Sequence, residues 1–280
     1  MEWVLGSQSR TAHWQIGSHC DLGKGAEGRV GGSAPHPRSR AEPHAQDGVD
    51  GRMDPAKGPV LIAIVGGSGA GKSWLARRLA EGYGKHACQI SLDSFYKDQG
   101  HLPADERDRI NFDVPSAIDW GCAERALRNC RLGQPFLVPN YDFRTHCISG
   151  HAGAFIARPL VIVEGLWLLL KGPVRQLFDL SLYLDCPRRV RRDRRIARDA
   201  RERGRRAEAI EEQFHRVVAP MHECYVEPQR RLADIVLRYP LSSDQLDLVA
   251  ARLKDLTGLP VSPSVGLPSL RDESMLEVTG

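Results

Sequence analysis

The chain has 280 residues, 41% of them hydrophobic, and a formal net charge of +4, which supplies apolar material for one large or two small cores. Its longest apolar run, Leu166-Trp-Leu-Leu-Leu170, is far shorter than the roughly 20 residues a spanning helix needs, so no membrane segment is expected. Residues 1–52 lack the charged start, apolar middle and small-residue cleavage site of a secretory signal, so the cytoplasm is the expected location, and the seven scattered cysteines read as reduced structural thiols.

Residues 1–57 are rich in Gly, Ser, His, Arg and Pro without apolar periodicity and are expected to be a disordered extension. Met53, close before the first strand, offers an alternative start. Residues 58–258 read as one domain in which apolar strands alternate with helices, an α/β doubly wound parallel sheet. Residues 60–65 are an unbroken, β-branched run, the signature of a strand buried on both faces. A glycine-rich loop and a helix follow it. Further strands are expected at 87–92, 160–163, 180–184 and 235–237, with a hairpin at 136–143 and 147–156. Helices are expected at 117–130, opened by Pro115 and capped by Ser116; at 166–178, interrupted near Gly172-Pro173; and at 188–203, 207–225 and 243–256, the last capped by Ser242 or Ser243. Residues 259–280 read as a frayed tail.

The loop between the first strand and its helix is Gly66-Gly-Ser-Gly-Ala-Gly-Lys-Ser73. A phosphate chain is a hydrated anion, and a loop that replaces its water must bring backbone N–H groups close, which glycines permit and side chains obstruct. Gly66, Gly67, Ser68, Gly69, Ala70 and Gly71 are therefore expected to cradle ATP phosphates. Lys72 places a point charge on the outer phosphates, and the Ser73 hydroxyl ligates the accompanying Mg²⁺. Strand, loop and helix in this order make a P-loop NTPase fold the expectation.

Asp93 and Glu164 each end a predicted strand, where carboxylates point into the ligand crevice of such sheets. Asp93 suits proton acceptance from an acceptor hydroxyl and contact with Mg²⁺; its bland alternative is a helix cap. Glu164 suits Mg²⁺ directly or through water. Residues 188–206 hold eleven arginines against Asp193, Asp199 and Glu202, a local +8 that leaves the rest of the chain at −4. A single basic helix without interleaved aromatics argues against nucleic acid as partner. It reads instead as a phosphate-clamping lid, anchored only by a thin stripe of Val190, Ile196, Ala197 and Ala200, and hence mobile.

Six ordered blocks carry a resemblance to the uridine kinase (uridine–cytidine kinase) family over nearly all of residues 60–237. They are the phosphate loop, Asp93-Ser-Phe-Tyr-Lys97, Asn111-Phe-Asp-Val-Pro115, Tyr141-Asp-Phe-Arg-Thr-His146, Val163-Glu-Gly165 and Arg195-Ile-Ala-Arg-Asp-Ala-Arg-Glu-Arg-Gly-Arg205. The resemblance implies that Asp93 is the catalytic base and that Ser73, Glu164 and Asp93 form the magnesium shell. It implies that Asp113 binds the ribose hydroxyls, favouring ribonucleosides, and that Tyr141 and His146 read a pyrimidine. It further implies that Arg195, Arg198, Arg203 and Arg205 are lid and substrate arginines, with Arg198 and Arg203 taking part in catalysis, and that Gln213 touches substrate. From residue type alone, Tyr141 and His146 are equally hairpin residues, and Asp113 equally a cap for the helix after Pro115.

The resulting expectation is an ATP- and Mg²⁺-dependent kinase of the 5′-hydroxyl of uridine or cytidine, acting in pyrimidine salvage. Departures at Val114, at Ile118-Asp119-Trp120 and around Gly150 and Gly153 touch the acceptor side and leave the acceptor open. The alternatives are a phosphoribulokinase-, pantothenate kinase- or nicotinamide riboside kinase-like enzyme, or a switch that binds nucleotide without transferring phosphate. The sequence leaves the oligomeric state undetermined.

Overall fold

The computed structural model describes residues 58–107 and 109–259; the expected extension at 1–57 and nearly all of the tail at 259–280 lie outside the described residues. In chain order the elements are β1 (Val60–Gly66), α1 (Lys72–Tyr83), β2 (Ala87–Ser91), a single turn α2 (Ala104–Arg107), α3 (Trp120–Arg131), β3 (Phe136–Asp142), β4 (Cys147–Phe155) and β5 (Leu160–Gly165). There follow the turn α4 (Gly172–Arg175), β6 (Leu180–Asp185), α5 (Arg188–Arg203), α6 (Ala207–Gln213), the short α7 (Ala219–Met221), β7 (Ile235–Arg238) and α8 (Ser243–Thr257). Five strands form a parallel sheet in the order β2-β5-β1-β6-β7, and β3 and β4 form a separate antiparallel hairpin.

β1 is apolar without interruption because both its faces are covered. Leu61, Ala63 and Val65 pack with Ala123 and Leu127 of α3 on one face. Ile62 and Ile64 pack with Leu75 and Leu79 of α1 and Leu246, Val249 and Leu253 of α8 on the other. Alternate residues of a strand point to opposite faces, so one hexapeptide seeds two cores. Truncating either the buried Leu75 or the buried Leu127 to alanine would cost about 2–5 kcal/mol. The Asp179 carboxylate ties the layers together, accepting from Leu61 N at 2.8 Å and pairing with Arg131 at the end of α3.

Three sequence expectations are corrected. The helix expected at 117–130 begins at Trp120, and its cap is Asp119, whose carboxylate accepts from Cys122 N at 2.9 Å. Ser116 instead lies in a 3-10 turn, and Ile118 is extended, bridging to Tyr96. The helix expected at 166–178 shrinks to α4. Trp167, Leu168 and Leu169 are all buried, a consecutive run that one helical face cannot provide. Buried Gln229 pins that loop, accepting from Leu169 N at 2.9 Å and donating to Leu166 O at 2.8 Å. The segment expected as one helix at 207–225 stays helical but widens to π geometry at Phe214–Val218 and His222–Val226. Pro220 lies between these stretches, and a proline there removes a donor and crowds the preceding turn. Among the described residues no helix is long and apolar enough to cross a membrane.

Candidate active site

The sheet order brings the chemistry together. β5 lies between β2 and β1, so Glu164 at its carboxyl end stands between the phosphate loop after β1 and Asp93 after β2. Glu164 is in register with Ser91 of β2, and the Ser91 hydroxyl donates to Glu164 Oε1 at 2.7 Å. The loop folds as its glycines require. Gly69 and Gly71 have φ of 79° and 97°, in the left-handed region that side-chain-bearing residues rarely adopt. A Cβ on Gly69 would stand 2.3 Å from the Arg191 carbonyl oxygen, so the α5 backbone packs directly against the loop there.

Lys72 opens α1 and donates from Nζ to Gly67 O at 3.2 Å. Burial lowers its pKa, and the carboxylates of Glu164 and Asp93 oppose that shift. Asp93 sits in the 3-10 turn after β2, its backbone N–H donating to Ser91 Oγ at 3.3 Å. Burial first and the Glu164 carboxylate second raise the Asp93 carboxyl to about 6, against the cations Lys72, Arg198 and Arg203.

One crevice brings most of the sequence-predicted site residues together. Ser68, Lys72, Ser73, Asp93 and Glu164 line one part of it, and Asp113, Tyr141, His146, Arg205 and Gln213 line another. Arg195, Arg198 and Arg203 of α5 line it as well. Arg195 joins the two parts: its Nη1 donates to Ser68 Oγ at 3.1 Å and to Asp113 Oδ1 at 3.4 Å. Asp113 thus faces the crevice, and the cap of α3 comes from Asp119. Arg205 donates to Gln213 Oε1 at 3.3 Å. Tyr141 Oη and His146 Nδ1 are 3.2 Å apart, and burial pushes the Tyr141 phenol up. His146 has a positive φ of 55° at the hairpin turn and is nearly enclosed, a strained placement that fixes its ring in the pocket.

The arginine helix departs from expectation. Its buried face is Arg191, Arg195 and Asp199, spaced four residues apart and at most 6% exposed, rather than the thin apolar stripe. Asp199 is fully enclosed; its Oδ1 accepts from Arg198 Nε at 2.9 Å, and its Oδ2 lies 3.5 Å from Arg195 Nε and 3.6 Å from Arg203 Nη1. The helix is thus anchored by buried charge instead of the thin apolar stripe expected from the sequence.

The sequence profile described as the "Phosphoribulokinase / Uridine kinase family" matches residues 61–243. The chain belongs to this family. Its curated relatives include a uridine kinase of Clostridium perfringens (strain SM101 / Type A), 35% identical over 204 residues that cover 72% of this chain and 98% of that protein. A uridine kinase of Staphylococcus carnosus (strain TM300) is 36% identical over 198 residues, 70% of this chain and 95% of that protein. Among solved structures, one described as a fructose transport system kinase from Silicibacter sp. TM1040 superposes with a TM-score of 0.53 at 23% identity, covering 67% of this chain and 92% of that one. That likeness agrees with the parallel α/β sheet of a P-loop kinase.

Within this family member the crevice also contains Tyr96, Phe112, Phe143 and Leu166, which residue-type reasoning did not single out. Phe112 stacks on the His146 ring at 3.9 Å between centroids and 9° between planes, and Tyr96 Oη donates to Phe112 O at 3.2 Å. The Arg203 guanidinium lies 5.3 Å from the Phe143 centroid. Phe112 and Phe143 sit inside the Asn-Phe-Asp and Tyr-Asp-Phe-Arg blocks, so their signal in the sequence is adjacency to Asp113, Tyr141 and His146. Asp199 also lies within the arginine-rich block, and only its complete burial separates it from a solvated acid.

The oxygen-only set of Ser73, Asp93 and Glu164 fits Mg²⁺, which takes one or two carboxylates and completes its shell from phosphate and water. Among the described residues no group of three or more His, Cys, Asp or Glu is arranged to hold a metal by protein alone.

Proposed function

We propose that the protein transfers the γ-phosphoryl group of ATP to the 5′-hydroxyl of a pyrimidine ribonucleoside, in the manner its relatives' name implies. The observation that carries this reading is the placement of Asp93 in one continuous crevice with Lys72, Ser73 and Glu164 on one side and Asp113, Tyr141 and His146 on another.

The loop from Gly66 to Ser73 holds the triphosphate through backbone N–H groups, and Lys72 neutralises its outer oxygens. Ser73, Glu164 and Asp93 would hold Mg²⁺, which when bound offsets charge on the β- and γ-phosphates. Asp113 accepts hydrogen bonds from the ribose hydroxyls, and Tyr141 and His146 take the pyrimidine. Arg205 and Gln213 line the same pocket and position the acceptor. Asp93 accepts the 5′-hydroxyl proton as the oxygen forms its bond to the γ-phosphorus and the bond to the β,γ-bridging oxygen breaks, leaving ADP. Arg198 and Arg203 stabilise charge on the phosphoryl group in flight. The location this reading expects is the cytoplasm.

The test is a coupled ADP-release assay with uridine, cytidine, their 2′-deoxy forms, ribulose 5-phosphate, pantothenate and nicotinamide riboside. Turnover of uridine or cytidine well above the other alcohols supports the reading. Inert uridine and cytidine beside an active alternative alcohol would reassign the acceptor, and no turnover with any alcohol would favour a nucleotide-binding switch.

A further inference from the structure

On the buried face of α5, Arg195 and Asp199 are paired, whereas Arg191 has no such pairing among the described residues. Arg191 is 3% exposed, and its Nη1 meets no hydrogen-bond acceptor among them. Its Nε donates to the Cys186 carbonyl at 3.0 Å. Glu227 is the carboxylate that acts on it most, and that acid is already engaged: it accepts from Tyr183 Oη at 3.0 Å and lies 3.5 Å from His222 and 3.6 Å from Arg230. Burial lowers the Arg191 pKa, so the fold carries this cation at a cost in stability.

What Arg191 does touch is the phosphate loop. Gly67, unlike Gly69 and Gly71, has no positive φ, and a side chain there is barred by space instead. A Cβ on Gly67 would stand 2.6 Å from Arg191 Nη1 and 2.9 Å from Arg191 Cδ. With its carbonyl against Gly69, this one residue packs on two positions of the loop. Gly67 O in turn accepts from Lys72 Nζ at 3.2 Å and from Ala70 N at 3.0 Å, so the arginine abuts the residue that holds the outer-phosphate lysine. Its charge also reaches Lys72, adding to that of Arg198 in lowering the amine's pKa. The neighbouring His222, with its pKa lowered to about 4, is neutral at neutral pH, so Arg191 carries the charge at this point. Arg191 itself does not line the crevice. We propose that Arg191 is a positioning residue for the donor phosphates: from behind the loop it holds Gly67 in place and adds positive potential to the cradle, without touching the ligand. A polyanion gains from a cation set a short way behind a loop of low polarisability, where water does not screen it.

This inference rests on the reading of the loop as a triphosphate cradle, and the experiment separates the two. Arg191→Met keeps a chain of similar length without the charge, and Arg191→Lys keeps the charge. Titration calorimetry with inorganic tripolyphosphate reads the cradle directly. Replacing an enclosed, unpaired cation by an apolar chain is often neutral or stabilising, so the methionine variant should keep its thermal midpoint. Its tripolyphosphate affinity should nevertheless drop about tenfold, with KM for ATP rising and KM for the nucleoside unchanged, and Arg191→Lys should recover most of the loss. Undiminished tripolyphosphate affinity in a folded methionine variant would overturn the assignment, as would a lysine variant that binds no better than it. If the methionine variant does not fold, the lysine variant decides: affinity within about threefold of the unaltered protein supports the role, and a larger loss overturns it. If the unaltered protein binds no tripolyphosphate, the cradle and the inference fall together. If the expected loss appears while the unaltered protein phosphorylates no pyrimidine ribonucleoside, Arg191 keeps its role and the proposed acceptor falls.

Discussion

Asp199, with no exposed surface, accepts the Arg198 Nε–H at 2.9 Å through Oδ1. Its other oxygen lies between Arg195 and Arg203, so one enclosed carboxylate orients three crevice arginines. A buried charge without partners is costly, so this arrangement persists only with all of its cations in place.

Replacing that charge by the isosteric amide in Asp199→Asn should lower kcat about 10²-fold, because guanidinium groups that must meet a developing charge lose their orientation. Nucleoside KM should rise as Arg195 loosens from Asp113. Steady-state kinetics, with circular dichroism to confirm a retained fold, check this; near-normal kcat in a folded variant would remove the positioning role.

The proposed role of Asp93 as base predicts a pH dependence. Its carboxyl titrates at about 6, raised from 3.8 chiefly by burial, and a base must be ionised to act. In the free enzyme kcat/KM should therefore fall as pH drops through about 6 and level off above it. For folding the sign is opposite: the native state keeps a proton that the unfolded chain releases, so this group's contribution is present below about 3.8 and lost as pH rises through about 6. A pH–rate profile flat from 5 to 8 would show that Asp93 is not the base. Asp93→Asn should lower turnover by about 10²-fold or more.

The proposed contact of Asp113 with ribose predicts discrimination between sugars. A carboxylate left without its hydroxyl partners is penalised, so ribonucleosides should exceed 2′-deoxyribonucleosides in kcat/KM by about tenfold or more, and Asp113→Ala should collapse that ratio. Paired assays with uridine and deoxyuridine measure it, and an unchanged ratio in the variant would assign Asp113 another task.

His222 lies behind the phosphate loop, its Nδ1 2.8 Å from where a Cβ on Gly67 would be. Burial and then the positive charges of Arg191 and Lys72 lower its pKa from 6.5 to about 4. The unfolded chain takes up a proton that the native state refuses, so stability should fall by about 2 kcal/mol as pH drops from 6.5 toward 4. Urea midpoints at pH 7 and pH 4.5 test this, and His222→Gln should shrink the difference; an equal difference in that variant would locate the acid sensitivity elsewhere.

The sequence by itself determined the parts governed by neighbours in the chain. The β-branched run at 60–65 declared a strand buried on both faces, the glycines before Lys72 declared a phosphate loop, and the arginine helix at 188–203 has the limits its pattern predicted. Tertiary structure decided what depends on burial and on partners distant in sequence. Arg195 meets Ser68 across 127 residues, Asp199 differs from Asp193 only in being enclosed, and Leu166-Trp-Leu-Leu-Leu170 became a pinned loop because Gln229 reached it from another segment. The physical reason is that propensity and periodicity act over a few residues. The cost of enclosing a charge or a polar backbone group is set instead by whatever the fold brings beside it.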